Sequence, residues 1–181
     1  GTLIEATIVG GGHEGGRRAG TENVPGIVGF AEAFHIARET AEKENERLTA
    51  LRDYAIVELK KITGLVINGD EIERLPNNVN FSLREIGSGN TVGADYGAGH
   101  EFLALQLDAR GFAVATKSAC HETDSETSHV LVALRGVDGT NLPGSGIRLS
   151  FGRSTTKKDI DVLLDTLRDL QNRSTKFDLE N

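Results

Sequence analysis

One cysteine stands in a run of polar residues. Residues 117–128 read KSACHETDSETS, and Cys120 is the only cysteine among the 181 residues of the chain. A free cysteine is usually a small buried hydrophobe, whereas a reactive one is exposed and has positive charge nearby that favours the thiolate. Lys117 and His121 can supply that charge, and the carboxylates that follow oppose it. Two interpretations are open at this point, an incidental surface thiol and a nucleophile that exchanges sulfur.

A second candidate is an arginine in a strand-like run. GIRLSF at 146–151 alternates apolar and polar residues, so Arg148 should point to the opposite face from Ile147 and Leu149. A guanidinium binds a carboxylate through two parallel hydrogen bonds, which lysine does not reproduce. Arg148 is therefore either a carboxylate-binding group or a solvated arginine on an edge strand.

A glycine-rich turn, GGGHEGGRRAGTEN at 10–23, precedes a long helical pattern. Backbone amides in such a turn suit anions, but the run lacks the lysine of a Walker loop and the spacing of a dinucleotide fingerprint. A metal site is not expected, because one cysteine cannot build a thiolate zinc centre and four of the histidines lack metal-ligand spacing: His13, His100, His121 and His129.

These residues need elements that hold them in place. Apolar spacing predicts a helix from residue 24 to about 62, capped by Asn23, with a bend or break near 43–45. Strand-like runs occupy 2–9, 65–68, 78–83, 112–116 and 146–151, and further helices are predicted over 99–109, 128–135 and from Thr155 or Thr156 onward. This order predicts an α/β fold, a two-layer sandwich in which helices cover a small, mainly antiparallel sheet.

Composition excludes several classes of protein. The chain is 38% hydrophobic and 26% charged, which is typical of a folded globular domain. A net charge of −7 without a basic block argues against nucleic acid and anionic membrane as partners. No apolar run approaches the roughly 18 residues that span a bilayer. One cysteine excludes a disulfide framework and suits a cytoplasmic location.

Three segments together resemble one family. GGGHEGGRRAGTENVPGIVGFAEAF at 10–34, KSAC at 117–120 with SHVLVAL at 128–134, and GSGIRLSFGRSTTKKDID at 144–161 resemble the cysteine desulfurases of the NifS/IscS type. LVINGD and LPNNVNFSL, at 65–70 and 75–83, also fit. These enzymes use pyridoxal 5'-phosphate to convert L-cysteine to L-alanine, and the sulfur leaves as an enzyme-bound persulfide. The resemblance implies the C-terminal small domain of a fold type I pyridoxal-phosphate enzyme.

The resemblance also implies a role for each candidate residue. Cys120 corresponds to the cysteine that receives sulfur, and Arg148 to the arginine that grips the substrate carboxylate. Thr21 corresponds to the threonine that contacts the cofactor phosphate of the neighbouring subunit, which implies a homodimer. A sulfur-acceptor protein, such as an iron–sulfur scaffold, would take the persulfide sulfur.

The match covers only the C-terminal part of such an enzyme. The chain starts at Gly1, contains no methionine, and lacks the family's His–Lys pair whose lysine anchors the cofactor. We therefore expect a piece of a longer protein, inactive by itself. Its predicted divisions are a strand and connection from the absent large domain (1–23), the small domain with its linking helix (24–171), and a polar tail (172–181).

Two other functions fit the same residues. A selenocysteine lyase or another class V aminotransferase-like enzyme would work without Cys120. A non-catalytic sulfur carrier or interaction module would use the cysteine but bind no cofactor.

Overall fold

A computed structural model of the chain describes residues 3–83, 96–116, 128–138 and 145–179. Its helices are α1 (Val24–Leu59), α2 (Tyr96–Asp108), α3 (His129–Asp138) and α4 (Lys157–Leu179), and its strands are β1 (Leu65–Ile67), β2 (Asn78–Leu83) and β3 (Ile147–Ser150). The chain forms two compact units, Gly1–Glu42 and Lys43–Asn181, here called the first and second units. Among the described residues, no helix has the length and apolar content that crossing a membrane requires.

The first unit contains the glycine-rich turn and the beginning of α1. The predicted cap is confirmed, because Asn23 Oδ1 accepts a hydrogen bond from the Gly26 N–H at 3.1 Å. The predicted strand at 2–9 was wrong for the described residues 3–9. A strand needs a hydrogen-bonded neighbour along its length, whereas this stretch has no regular ladder, and the Ala19 N–H donates to the Ile8 carbonyl.

Of the predicted bend or break in α1, a break was wrong, because the helix continues through residues 43–45 without interruption. The boundary between the two units nevertheless falls at this place, between Glu42 and Lys43. The buried residues of α1 all lie beyond it, from Leu48 to Leu59. The sparse apolar residues near 43–45 thus coincide with the boundary between the two units and not with an end of helical structure.

The second unit holds an antiparallel sheet of three strands in the order β1-β2-β3. Val79 pairs with Leu149 and Phe81 with Ile147, and these four buried side chains lie on one face of the sheet. They join the buried apolar residues of α1, α2 and α4 in one core. The predicted α/β class, with a small antiparallel sheet and covering helices, is confirmed.

Two predicted elements differ in extent. Residues 112–116 do not form a strand. They contribute an isolated antiparallel bridge between Ala115 and Arg148. α4 continues to Leu179, so the polar residues after Asn172 extend this helix. Its start follows the predicted signal: the Thr156 N–H and hydroxyl both donate to Asp159 Oδ2 at 2.8 Å.

Candidate active site

Arg148 lies on β3 between two neighbouring stretches of backbone. The burial of β3 alternates, so Arg148 is exposed whereas Ile147 and Leu149 are buried, as the sequence predicted. On one side Arg148 pairs with Asn80 of β2. On the other side its N–H donates to the Ala115 carbonyl at 2.6 Å, and its carbonyl accepts from the Ala115 N–H at 3.2 Å. The guanidinium therefore projects from a held strand into solvent, where a carboxylate can reach it.

Cys120 lies outside the described residues, and so do its neighbours Lys117 and His121. The structure does describe the point from which their segment departs, because Thr116 follows the bridge between Ala115 and Arg148. The bridge is antiparallel, so the chain at Thr116 is directed toward the start of β3.

A cluster of buried polar side chains stands at this same end of the sheet. The polar cluster consists of Asn68, Asn80, Ser82, His100 and Ser145, of which all but half-buried Asn80 are buried. Asn68 Nδ2 donates to Asn80 Oδ1 at 2.6 Å and to Ser82 Oγ at 2.8 Å. Ser82 Oγ donates to the Ser145 carbonyl at 2.7 Å. The polar residues of β2 are therefore internal hydrogen-bonding groups.

His100 completes the cluster from the first turns of α2. Its Nε2 accepts a hydrogen bond from the Leu83 N–H at 3.0 Å, so this nitrogen carries no proton. The proton of the neutral ring is then on Nδ1, which lies 2.9 Å from Ser145 Oγ and donates to it. An imidazole in this form cannot take the proton of Ser145, which excludes a serine nucleophile activated by His100.

Gly146 lies between Ser145 of the polar cluster and Arg148 along the chain, and it leaves no space for a side chain. A Cβ at this position would lie 2.8 Å from Asn80 Oδ1, 2.8 Å from the Phe81 carbonyl oxygen and 2.9 Å from Asn68 Nδ2. The absence of a side chain here lets the amide groups of Asn68 and Asn80 meet.

Thr21 belongs to the first unit, where it is exposed. It lies two residues before Asn23, the cap of a 36-residue helix. Gly15, Gly16 and Gly20 adopt positive φ angles of 65°, 81° and 94°, which side chains disfavour. An exposed hydroxyl beside a helix N-terminus fits a phosphate group, so these residues suit the phosphate end of pyridoxal phosphate and supply no lysine for its aldehyde.

A groove of about 560 Å³ lies between α1 and the start of α4, lined in part by Arg47, Arg153 and Lys157. Arg47 donates to Glu44 and to the carbonyls of Gly152, Arg153 and Thr155. Lys157 donates hydrogen bonds to Tyr54 and Asp161. These bonds raise the pKa of Lys157, and the bond to Tyr54 has the largest effect. Because the charges of Arg47 and Lys157 are already bound within the protein, this groove is a poor site for an anion.

The described residues contain no group of three or more histidine, cysteine, aspartate or glutamate side chains that could hold a metal ion. No sequence pattern predicted the polar cluster, since asparagine, serine and a single histidine are usually solvated. The sequence feature that could have indicated close packing here is Gly146, which directly precedes the alternating residues of β3.

Comparison with known proteins decides the family. The model of the family described as aminotransferase class V matches residues 9–163. The chain belongs to this family. The cysteine desulfurase IscS of Dictyoglomus turgidum is 42% identical over 168 residues, which are 92% of this class V aminotransferase chain and 39% of that protein. The cysteine desulfurase IscS of Methanosarcina thermophila is 40% identical over 170 residues, which are 94% and 39% of the two chains.

A solved structure supports the fold of this class V aminotransferase chain. A NifS-like protein matches it with a TM-score of 0.70 and 30% identity, over 95% of this chain and 40% of that chain. The resemblance to cysteine desulfurases that the sequence predicted is thereby confirmed. The chain spans about two fifths of the length of the curated relatives that it matches.

Proposed function

We propose that the protein to which this chain belongs is a cysteine desulfurase. It converts L-cysteine to L-alanine and transfers the sulfur to Cys120 as a persulfide. The observation that carries the proposal is the identity of about 40% to IscS cysteine desulfurases over more than nine tenths of this chain. The exposed guanidinium beside the start of the Cys120 segment supports it.

Arg148 binds the carboxylate of the substrate in this proposal. Its backbone is held on both sides, by β2 and by Ala115, so the charged group starts from a rigid position. Two parallel hydrogen bonds from the guanidinium fix the plane of a carboxylate as well as its place. The substrate thiol is thereby oriented toward the segment that carries Cys120.

Cys120 accepts the sulfur. It follows Ala115 by five residues, and five residues of chain extend at most about 17 Å. The thiol can therefore approach a substrate bound at Arg148. The Cys120 thiolate forms an S–S bond to the substrate sulfur while the C–S bond of the substrate breaks. A polar segment also lets the persulfide reach an acceptor protein by thiol exchange.

Pyridoxal 5'-phosphate would be the cofactor, and Thr21 would contact its phosphate across a homodimer. When bound, it supplies an electron sink for the electron pair of the broken C–S bond. The exposed hydroxyl of Thr21, close to the capped start of α1, supports this role. The lysine that anchors the cofactor is expected in the large domain.

The large domain would also cover the apolar residues of the first unit. Phe30 is 74% exposed and Phe34 57% exposed, and the two rings stack with centroids 6.3 Å apart. Such a surface on a water-soluble protein is usually an interface.

We retain residues 1–23 as the connection, 24–171 as the small domain and 172–181 as its polar end. The sulfur acceptor would be a protein such as an iron–sulfur scaffold, and a single unpaired cysteine suits the cytoplasm.

The test measures L-alanine formed from L-cysteine by the longer protein with pyridoxal phosphate. We expect turnover that Cys120→Ala abolishes, while this chain alone gives none. A selenocysteine lyase would keep its turnover of selenocysteine in the Cys120→Ala variant. A non-catalytic sulfur carrier would show no turnover with either substrate and would bind no cofactor. Robust turnover by the isolated chain would contradict the expected need for the large domain.

A further inference from the structure

We propose that His100 positions Arg148 by clamping the start of β3 to the end of β2. The clamp consists of three groups: the backbone N–H of Leu83, the imidazole of His100 and the hydroxyl of Ser145. This inference rests on the proposed function, in which Arg148 binds the substrate carboxylate. His100 acts on that binding only through Ser145 and the strand that follows it.

The clamp begins where the backbone ladder ends. Pairing between β2 and β3 stops at Phe81 and Ile147. Beyond that pair, the Leu83 N–H donates to His100 Nε2 at 3.0 Å, and His100 Nδ1 donates to Ser145 Oγ at 2.9 Å. Side-chain hydrogen bonds therefore hold the two strands together at the start of β3, toward which the chain is directed at Thr116.

Burial makes the loss of either hydrogen bond of the clamp costly. His100 is 2% exposed and Ser145 is 4% exposed. A buried donor or acceptor that loses its partner is costly, because water cannot replace the bond. A second bond, from Ser82 Oγ to the Ser145 carbonyl at 2.7 Å, restrains the backbone at the same residue. Ser145 is thus fixed by both its side chain and its main chain.

The position of Arg148 depends on that of Ser145, because the chain between them is short. Only Gly146 and Ile147 lie between them, and the backbone at Gly146 packs against Asn68 and Asn80 with no space for a Cβ. A strand moves as a unit over so short a length. Displacement of the guanidinium would lengthen or bend the two parallel hydrogen bonds that bind a carboxylate, and so weaken its binding. A residue remote from the substrate can therefore set how well Arg148 binds it.

The first test uses the longer protein with its cofactor. His100→Leu removes both bonds of the clamp, and we expect the KM for L-cysteine to rise about tenfold with kcat changed less than about threefold, as lost ground-state binding predicts. His100→Asn keeps an N–H near the position of Nδ1 but no acceptor for the Leu83 N–H, so it should restore only part of the affinity. Ser145→Ala should raise KM similarly, and the double variant with His100→Leu should add little further. His35→Leu is the control, since His35 is 62% exposed on α1.

The second test needs no activity and uses this chain. The Arg148 N–H donates to Ala115, and its hydrogen exchange should accelerate in His100→Leu more than that of the buried α4 amides such as Leu164. An unchanged KM in His100→Leu, additive effects with Ser145→Ala, or uniform acceleration of exchange would each overturn the clamp. If the wild-type longer protein does not turn over L-cysteine, the proposed function fails, and the exchange experiment still decides whether His100 holds β3.

Discussion

Gly146→Ala tests whether the packing beside the polar cluster is as tight as the structure indicates. The added Cβ would lie 2.8 Å from the Phe81 carbonyl oxygen, which is backbone within the paired part of β2 and cannot rotate away. It would also lie 2.8 Å from Asn80 Oδ1 and 2.9 Å from Asn68 Nδ2, whose mutual hydrogen bond is 2.6 Å long. Both the sheet and this bond must therefore shift.

The magnitude follows from these two effects. Overpacking a rigid site costs about 1–3 kcal/mol, and disturbing one buried hydrogen bond adds roughly 1 kcal/mol. The free energy of unfolding should fall by about 2–4 kcal/mol, which for a chain of this length lowers Tm by on the order of 10 °C. Urea unfolding followed by far-ultraviolet circular dichroism measures the change.

Gly152→Ala provides a matched control for this experiment. Gly152 lies two residues after the end of β3, and a Cβ there would meet no atom within 4 Å. Its free energy of unfolding should change by less than about 0.5 kcal/mol, as is usual for surface substitutions. If Gly146→Ala were as mild as Gly152→Ala, the account of close packing at the start of β3 would be refuted.

Three further predictions concern named charges. The Thr156 N–H and hydroxyl hold the pKa of Asp159 below its ordinary value. This carboxylate therefore stabilises the fold fully above pH about 4, and less as the pH falls through the lowered pKa. The difference in Tm between wild type and Asp159→Asn should shrink on acidification. Arg47→Lys loses the fork that bonds three carbonyls and Glu44, so thermal unfolding should show a lower Tm, whereas exposed Arg38→Lys should not. Arg148→Lys should raise the KM for L-cysteine in the longer protein roughly tenfold or more without lowering Tm, because an ammonium cannot bind a carboxylate in fork geometry.

Local patterns in the sequence predicted the elements that depend on local chemistry. The alternation of GIRLSF placed Arg148 opposite Ile147 and Leu149 correctly, because the period of a strand is a property of its own backbone. Asn23 was a correct cap for the same reason. The capping signal at Thr155 or Thr156 was right to within one residue, and the structure assigns the cap to Thr156.

Features that depend on distant parts of the chain could not be predicted. The apolar residues at 2–9 suggested a strand, but a strand also requires a neighbour, which local sequence does not specify. The alternation in β2 does not show that Asn80 and Ser82 hydrogen-bond to Asn68 and to the Ser145 carbonyl, which lie far from them in the chain. The polar cluster joins β1, β2, α2 and the start of β3, so only the assembled sheet brings its members together.

The most direct measurement is the sulfur content of Cys120 during turnover. The longer protein with pyridoxal phosphate would be mixed with L-cysteine, trapped with a thiol-alkylating reagent, digested, and analysed by mass spectrometry. We predict that the peptide containing Cys120 gains one sulfur atom, and that Cys120→Ala forms no L-alanine. L-Alanine formation that continues in Cys120→Ala, without added sulfur on the wild-type peptide, would contradict the assignment of Cys120 as the sulfur acceptor and with it the proposed mechanism.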